Sequence, residues 1–240
     1  MSKYNFDQEI DRKNTNSYKW DNPLYEGLDI MPMPVADMDF RIADELTNTI
    51  SHINDHGVLG YSLVPETLKR AYQTKIKDSY DWDTQIEWQV WIPGIVPGLT
   101  LACSTFVSSS QSILTPIPVY HPFHLVSKWV DRDLLTFNMV EKDGRWVYDF
   151  IEFENQLKKN PGVFLFCNPH NPGGTVFTEE EIERIVFLCI KYDCMILSDE
   201  IHADLQLQTS QKHVCIGKYI SNELPAITFF ATSKTYNTAG

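Results

Sequence analysis

None of the five cysteines, Cys103, Cys167, Cys189, Cys194 and Cys215, stands in a CxxC pair, and their number is odd. That pattern argues against a secreted disulfide framework and reads as reduced, cytosolic thiols. Basic residues are also scarce, with 20 Lys and Arg against 32 Asp and Glu and a net charge of −12. Such a surface repels phosphate backbones, so nucleic acid is not an expected partner. An anionic ligand must then be held by local groups such as helix N-termini. Charge is missing altogether from Trp88 to Ser127. Pro93, Gly94, Pro97, Gly98, Pro116, Pro118 and Pro122 interrupt that stretch, leaving no block of roughly 20 apolar residues, so no membrane span is expected. It reads instead as a segment buried against core, cofactor or subunit. There is no internal repeat or low-complexity linker, and the opening MSKYNFDQEIDRKN is too polar for a signal peptide. The expected location is the cytoplasm.

What is present is enough apolar material for a sizeable core: 43% of the 240 residues are hydrophobic and 12% aromatic. Residues 1–41 read as an extended arm, because Pro23, Pro32 and Pro34 oppose helix. Ile42, Leu46, Ile50 and Ile53 share one helical face, and Pro65–Tyr80 reads as a second helix. Glu87–Ile92 looks strand-like, and a helix is expected from about Ile95 to Val107. The chain then alternates. Strands are expected at Ser112–Thr115, Leu134–Met139, Val163–Cys167, Met195–Ser198 and Ala226–Ala231. Helices are expected at His121–Val130 and Asp149–Lys159, and another opens at the capping box Thr178-Glu179-Glu180-Glu181. Strands buried on both faces and alternating with amphipathic helices predict an α/β fold with a mostly parallel sheet and helices on both sides.

In such sheets, ligand groups collect at the carboxyl ends of the strands. The strand at 163–167 runs into Asn168-Pro169-His170-Asn171-Pro172-Gly173-Gly174. The strand at 195–198 runs into Asp199-Glu200-Ile201-His202, and the last strand into Thr232-Ser233-Lys234. A lysine, a buried aspartate and an asparagine on one rim suit pyridoxal phosphate. The lysine amine forms a Schiff base with the aldehyde, and the ring serves as electron sink. Asp199 is the candidate to hold a proton on the ring nitrogen, and Asn171 to donate to the phenolic oxygen. The helix start at Gly94-Ile95-Val96, with Thr232 and Ser233, is the candidate phosphate site. Tyr120 is the candidate ring cover. The pair His121-x-x-His124 lacks a third ligand at suitable spacing, so no metal is expected.

Several segments together resemble the fold-type I pyridoxal-phosphate enzymes of the class I/II aminotransferase superfamily, and within it the MalY/PatB-like cystathionine β-lyases, or cysteine-S-conjugate β-lyases. They are Val35-Ala36-Asp37-Met38-Asp39-Phe40, Gly60-Tyr61, Pro93-Gly94-Ile95-Val96-Pro97, Val119-Tyr120-His121-Pro122-Phe123, the 168–174 loop, Ser198-Asp199-Glu200-Ile201-His202 and Ser233-Lys234-Thr235. The resemblance implies that Lys234 is the Schiff-base lysine and proton shuttle and that Tyr120 stacks on the ring. It implies that Asp199 pairs with the pyridinium and that Asn171 meets the phenolic oxygen. Ile95, Val96, Thr232 and Ser233 would lie at the phosphate, and Tyr61 at the cofactor of a neighbouring subunit, in a homodimer. His202 falls where many aminotransferases carry a tyrosine, a difference typical of the β-lyase group; it is assigned to the cofactor's surroundings, as a packing residue in preference to a catalytic one. The implied reaction is α,β-elimination from an amino acid with sulfur on its β-carbon, giving a thiol, pyruvate and ammonia.

The family's chain normally continues past the lysine into a C-terminal small domain with an arginine for the substrate carboxylate. The resemblance therefore implies a truncated member: an arm at 1–41, an incomplete cofactor-binding large domain at 42–240 and no small domain. Pro34 stands where the family usually has tryptophan. Two other readings use the same residues: an aminotransferase on the same scaffold, and a non-catalytic remnant or interaction module. Asp37 and Asp39 read as anchors of the arm.

Overall fold

The computed structural model describes residues 4–205, 207 and 212–239; the first three residues of the expected arm lie outside it. The chain divides into two compact units, one of residues 1–62 with 232–240 and the other of residues 63–231.

The larger unit carries a six-stranded sheet in the order β3-β2-β1-β4-β5-β6. Its strands are β1 (Ser112–Ile117), β2 (Leu134–Lys142), β3 (Arg145–Tyr148), β4 (Pro161–Cys167), β5 (Met195–Asp199) and β6 (Ala226–Phe229). All neighbouring pairs are parallel except β2–β3. The order reverses between β1 and β4, which makes the carboxyl ends of these two strands a topological switch point. β4 is buried at every position. Val163, Leu165 and Cys167 face one layer, with Leu99 and Cys103 of α3 (Ile95–Phe106) and Phe123 and Val126 of α4 (Pro122–Trp129). Phe164 and Phe166 face the other layer, with Phe153 and Leu157 of α5 (Phe150–Leu157) and Ile182, Ile185 and Cys189 of α6 (Glu179–Lys191). This two-residue alternation, apolar on both sides, is what a strand between two helical layers requires.

The predicted capping box opens α6. Thr178 Oγ1 accepts the Glu181 N–H at 3.2 Å, and Glu181 Oε2 accepts the Thr178 N–H at 2.8 Å. The hairpin strand β3 was not expected from sequence. Its turn is Asp143-Gly144, both residues with positive φ (53° and 75°), and Lys142 pairs with Arg145 across it. Asp-Gly is a strong signal for a two-residue hairpin turn, so the clue was present. The strand expected at Glu87–Ile92 does not form. A 3-10 turn covers Ile86–Trp88, and no ladder follows it. Among the described residues no strand pairs with this segment; the Gln89 side-chain amide donates to Lys69 O at 2.9 Å.

Before the sheet, the larger unit contains α2 (Glu66–Tyr80), whose Ile76 and Tyr80 pack with Ala203 and Cys215. In the smaller unit, α1 (Asp44–His56) buries no residue, and Ile50 and Ile53 of its apolar stripe are exposed. All five cysteines are buried as free thiols. Burial pushes the Cys103 thiol up to about 12. Among the described residues no helix is long and apolar enough to cross a membrane. The uncharged stretch contributes α3, β1 and the start of α4 to the interior.

Candidate functional site

The carboxyl ends of β1, β4 and β5 bring three of the predicted residues together. β5 ends on Asp199, which is 5% exposed. Its Oδ1 accepts the Ile201 N–H at 3.1 Å. Asn168, fully buried at the end of β4, donates its N–H to Asp199 O at 3.0 Å. Asn168 also accepts the Phe177 N–H at 3.3 Å and donates to Val214 O at 3.2 Å, so it latches the following loop onto the sheet. From the β1 side, Tyr120 donates its N–H to Asn171 O at 2.9 Å. The Tyr120 hydroxyl is held above the usual phenol range, by burial and then by the nearby Asp199 charge. Tyr120, Asn171 and Asp199 thus lie together at the switch point.

The loop that carries Asn171 is built on His170. This residue is 3% exposed, its N–H donates to Thr175 O at 2.8 Å, and its Nδ1 accepts the Gly173 N–H at 3.1 Å. Burial pulls its pKa down to about 4, so the imidazole is neutral at ordinary pH. The peptide bonds Ile117–Pro118, Asn168–Pro169 and Asn171–Pro172 are cis.

The start of α3 presents Ile95 and Val96. Gly94 before them has φ 115° and ψ 159°, a backbone that residues with a Cβ avoid. As first-turn residues, Ile95 and Val96 have N–H groups with no partner inside the helix. A Cβ at Gly98 would collide with the side chains of Ile92 and Phe229. Gly98 therefore lets α3 approach β6 at Phe229, the residue paired with Asp199. His202 sits half-buried in the turn after β5.

Sequence reasoning did not single out the polar cluster behind Asp199. Glu200 is 1% exposed. Its Oε1 accepts Ser198 Oγ–H at 2.8 Å and the Ile216 N–H at 3.0 Å, and its Oε2 meets His213 Nε2 at 2.6 Å. The Tyr80 ring lies edge-on to His213 at 5.3 Å and stacks on Phe230 at 5.4 Å.

Thr232, Ser233, Lys234 and Tyr61 belong to the smaller unit. There Lys234 Nζ donates to Ala36 O at 3.3 Å. The turn that carries it is closed by Tyr236 N–H to Thr232 O at 2.9 Å and Thr238 N–H to Ser233 O at 3.0 Å. Tyr61 is fully exposed. Asp37 and Asp39 meet Arg12 at 2.6 and 2.7 Å, which is the anchoring expected of them.

Residues 43–240 match the family described as aminotransferase class I and II. The chain belongs to the class I and II aminotransferase family. Within this family it is 35% identical to the cystathionine β-lyase PatB of Bacillus subtilis, over 98% of this chain and 62% of PatB. Cystalysin from Treponema denticola, whose crystal structure contains pyridoxal 5′-phosphate, superposes with a TM-score of 0.90 at 35% identity, over 98% of this chain and 61% of that one. A pyridoxal-phosphate-bound carbon–sulfur lyase from Staphylococcus hominis, complexed with L-cycloserine, superposes with a TM-score of 0.92 at 27% identity, over 99% of this chain and 63% of that one. The chain thus spans about 60% of the length of these aminotransferase-family relatives.

The donor set of the larger unit fits that cofactor. A buried carboxylate suits a protonated ring nitrogen, an aromatic ring beside it suits the ring face, and an uncapped helix start suits a phosphate.

Proposed function

We propose that this protein is a pyridoxal-phosphate-dependent carbon–sulfur β-lyase, acting on amino acids with sulfur on the β-carbon to give a thiol, pyruvate and ammonia. The observation that carries the reading is the grouping of Asp199, Tyr120 and Asn171 at the carboxyl edge of a parallel sheet. The similarity to PatB and to the S. hominis lyase supports the choice of a carbon–sulfur bond. When bound, pyridoxal phosphate supplies the electron sink for a carbanion at the substrate's α-carbon.

The chain's own residues divide the remaining work. Lys234 supplies the amine that tethers the cofactor aldehyde and the base for the substrate's α-proton. Asp199, buried at the end of β5, keeps a proton on the ring nitrogen. Asn171 donates to the phenolic oxygen, and Tyr120 covers the ring. The N–H groups of Ile95 and Val96 and the hydroxyls of Thr232 and Ser233 bind the phosphate, which an acidic protein must hold with local groups. His202 lines the cofactor's surroundings. The protein acts in the cytoplasm, consistent with five free thiols. It acts as a homodimer in which Tyr61 reaches the neighbouring subunit's cofactor; the exposure of Tyr61 together with Val58, Leu59 and Leu63 supports a contact there.

The test is to supply the full chain with pyridoxal phosphate and cystathionine and to assay pyruvate. Pyruvate release that disappears in Lys234→Ala supports the lyase. A new amino acid formed from an added keto acid, without pyruvate from cystathionine, would mean an aminotransferase instead.

A further inference from the structure

One side chain staples the lysine-bearing turn to the arm. Asn237 Oδ1 accepts the Met38 N–H at 2.9 Å, and its Nδ2 donates to Met38 O at 3.0 Å and to Phe40 O at 3.1 Å. The amide imitates the edge of a neighbouring strand, using both its acceptor and its donors. Its backbone φ is 55°, a left-handed conformation that asparagine tolerates better than most residues. Three positions earlier, Lys234 Nζ rests on Ala36 O, in the same arm segment.

The segment 36–40 is fixed independently. Arg12 bonds Asp37 and Asp39 at 2.6 and 2.7 Å, and Lys19 bonds Asp39 at 2.6 Å and lies 3.4 Å from Asp37. Lys19 Nζ also donates to Asp37 O at 3.0 Å, and Trp20 Nε1–H to Asp39 at 2.9 Å. Two cations thus meet two anions, and Lys19 is buried.

We propose that Asn237 is a positioning residue for Lys234. It locks the lysine's turn to a segment that the Arg12–Lys19–Asp37–Asp39 cluster holds still, so the amine is presented at one place instead of sweeping the reach of a free side chain. An amine that must meet a single carbonyl carbon gains rate from such confinement. The inference rests on the proposed role of Lys234, but the staple can be measured without cofactor.

The experiment compares the full chain with Asn237→Ala and Asn237→Asp under trace acetylation, with site-resolved mass spectrometry. Lys142, exposed at the end of β2, is the internal reference. Acetylation of Lys234 relative to Lys142 should rise about two- to tenfold in Asn237→Ala, the range one net hydrogen bond spans. Asn237→Asp keeps the acceptor for the Met38 N–H but loses both donors, so it should rise as well. It serves as the comparison should the alanine variant fail to fold. An unchanged ratio in a folded variant overturns the inference. A second arm adds pyridoxal phosphate and borohydride and follows trapping on Lys234. Slower trapping in the variants supports the inference, and equal trapping contradicts it. If acetylation depends on Asn237 but nothing is trapped on Lys234 of the unmodified chain, the positioning stands and the cofactor reading falls.

Discussion

Among single residues, three side chains carry the clearest electrostatic predictions. Asp199→Asn keeps the shape of the β5 end and removes the carboxylate proposed to sit beside the ring nitrogen. Losing one partner of a buried charge pair costs about 2–5 kcal/mol, so the dissociation constant for pyridoxal phosphate should weaken by roughly 30-fold or more. A fluorescence titration checks this. His170 tests the loop. Its pKa in the fold is about 4, below the usual imidazole value of 6.5, because burial disfavours the cation. The unfolded chain therefore binds more protons between these values. Stability from this group is complete above pH 6.5 and is lost as pH falls towards 4. The full effect is about 3 kcal/mol at most. Urea unfolding across that window should show the decline, and His170→Gln should flatten it. Asp39 works lower. Burial alone would raise its pKa, but bonds from Lys19, Trp20 and Arg12 hold it down at about 2. Its contribution is therefore present above about pH 4 and lost only as pH falls towards 2.

Among the elements, the α6 cap and the buried cluster behind Asp199 each hold a hydrogen-bonded group whose loss can be measured. Thr178→Ala removes the Oγ1 that caps α6 and should cost about 1 kcal/mol in urea unfolding. His213→Ala removes the ring that bonds the buried Glu200 side chain and should cost about 1–3 kcal/mol. A loss under about 1 kcal/mol would show that water reaches Glu200. How far these elements could be read from the sequence follows from how local their causes are. β4 and β5 were legible because their apolar runs are buried on both faces, and α6 because its cap lies within four residues. The grouping of Tyr120, Asn171 and Asp199 was legible because neighbouring parallel strands bring the residues at their carboxyl ends together whatever the loops do. Glu87–Ile92 misled because alternating apolar residues make a strand only where a neighbour offers a ladder. The staple from Asn237 to Met38 spans 199 positions, and His213 meets Glu200 across a loop. No periodicity or spacing reports such pairings.

At the scale of the whole molecule, the fold is that of the class I and II aminotransferase family, and the uncharged stretch that could suggest a membrane forms part of its core. The exposed run Val58, Leu59, Tyr61 and Leu63 is the place where a second copy is proposed to sit. Light scattering should then give about twice the 27.7 kDa chain mass, and Leu59→Asp should return it to that of one chain. The central claim is that Lys234 is the lysine that takes the cofactor. Its most direct test is to incubate the full chain with pyridoxal phosphate, reduce with borohydride and locate the label by peptide mass spectrometry. One labelled site is expected, Lys234, with the label and the accompanying absorbance band both lost in Lys234→Ala. Label scattered over surface lysines, or a band that survives in Lys234→Ala, would contradict it.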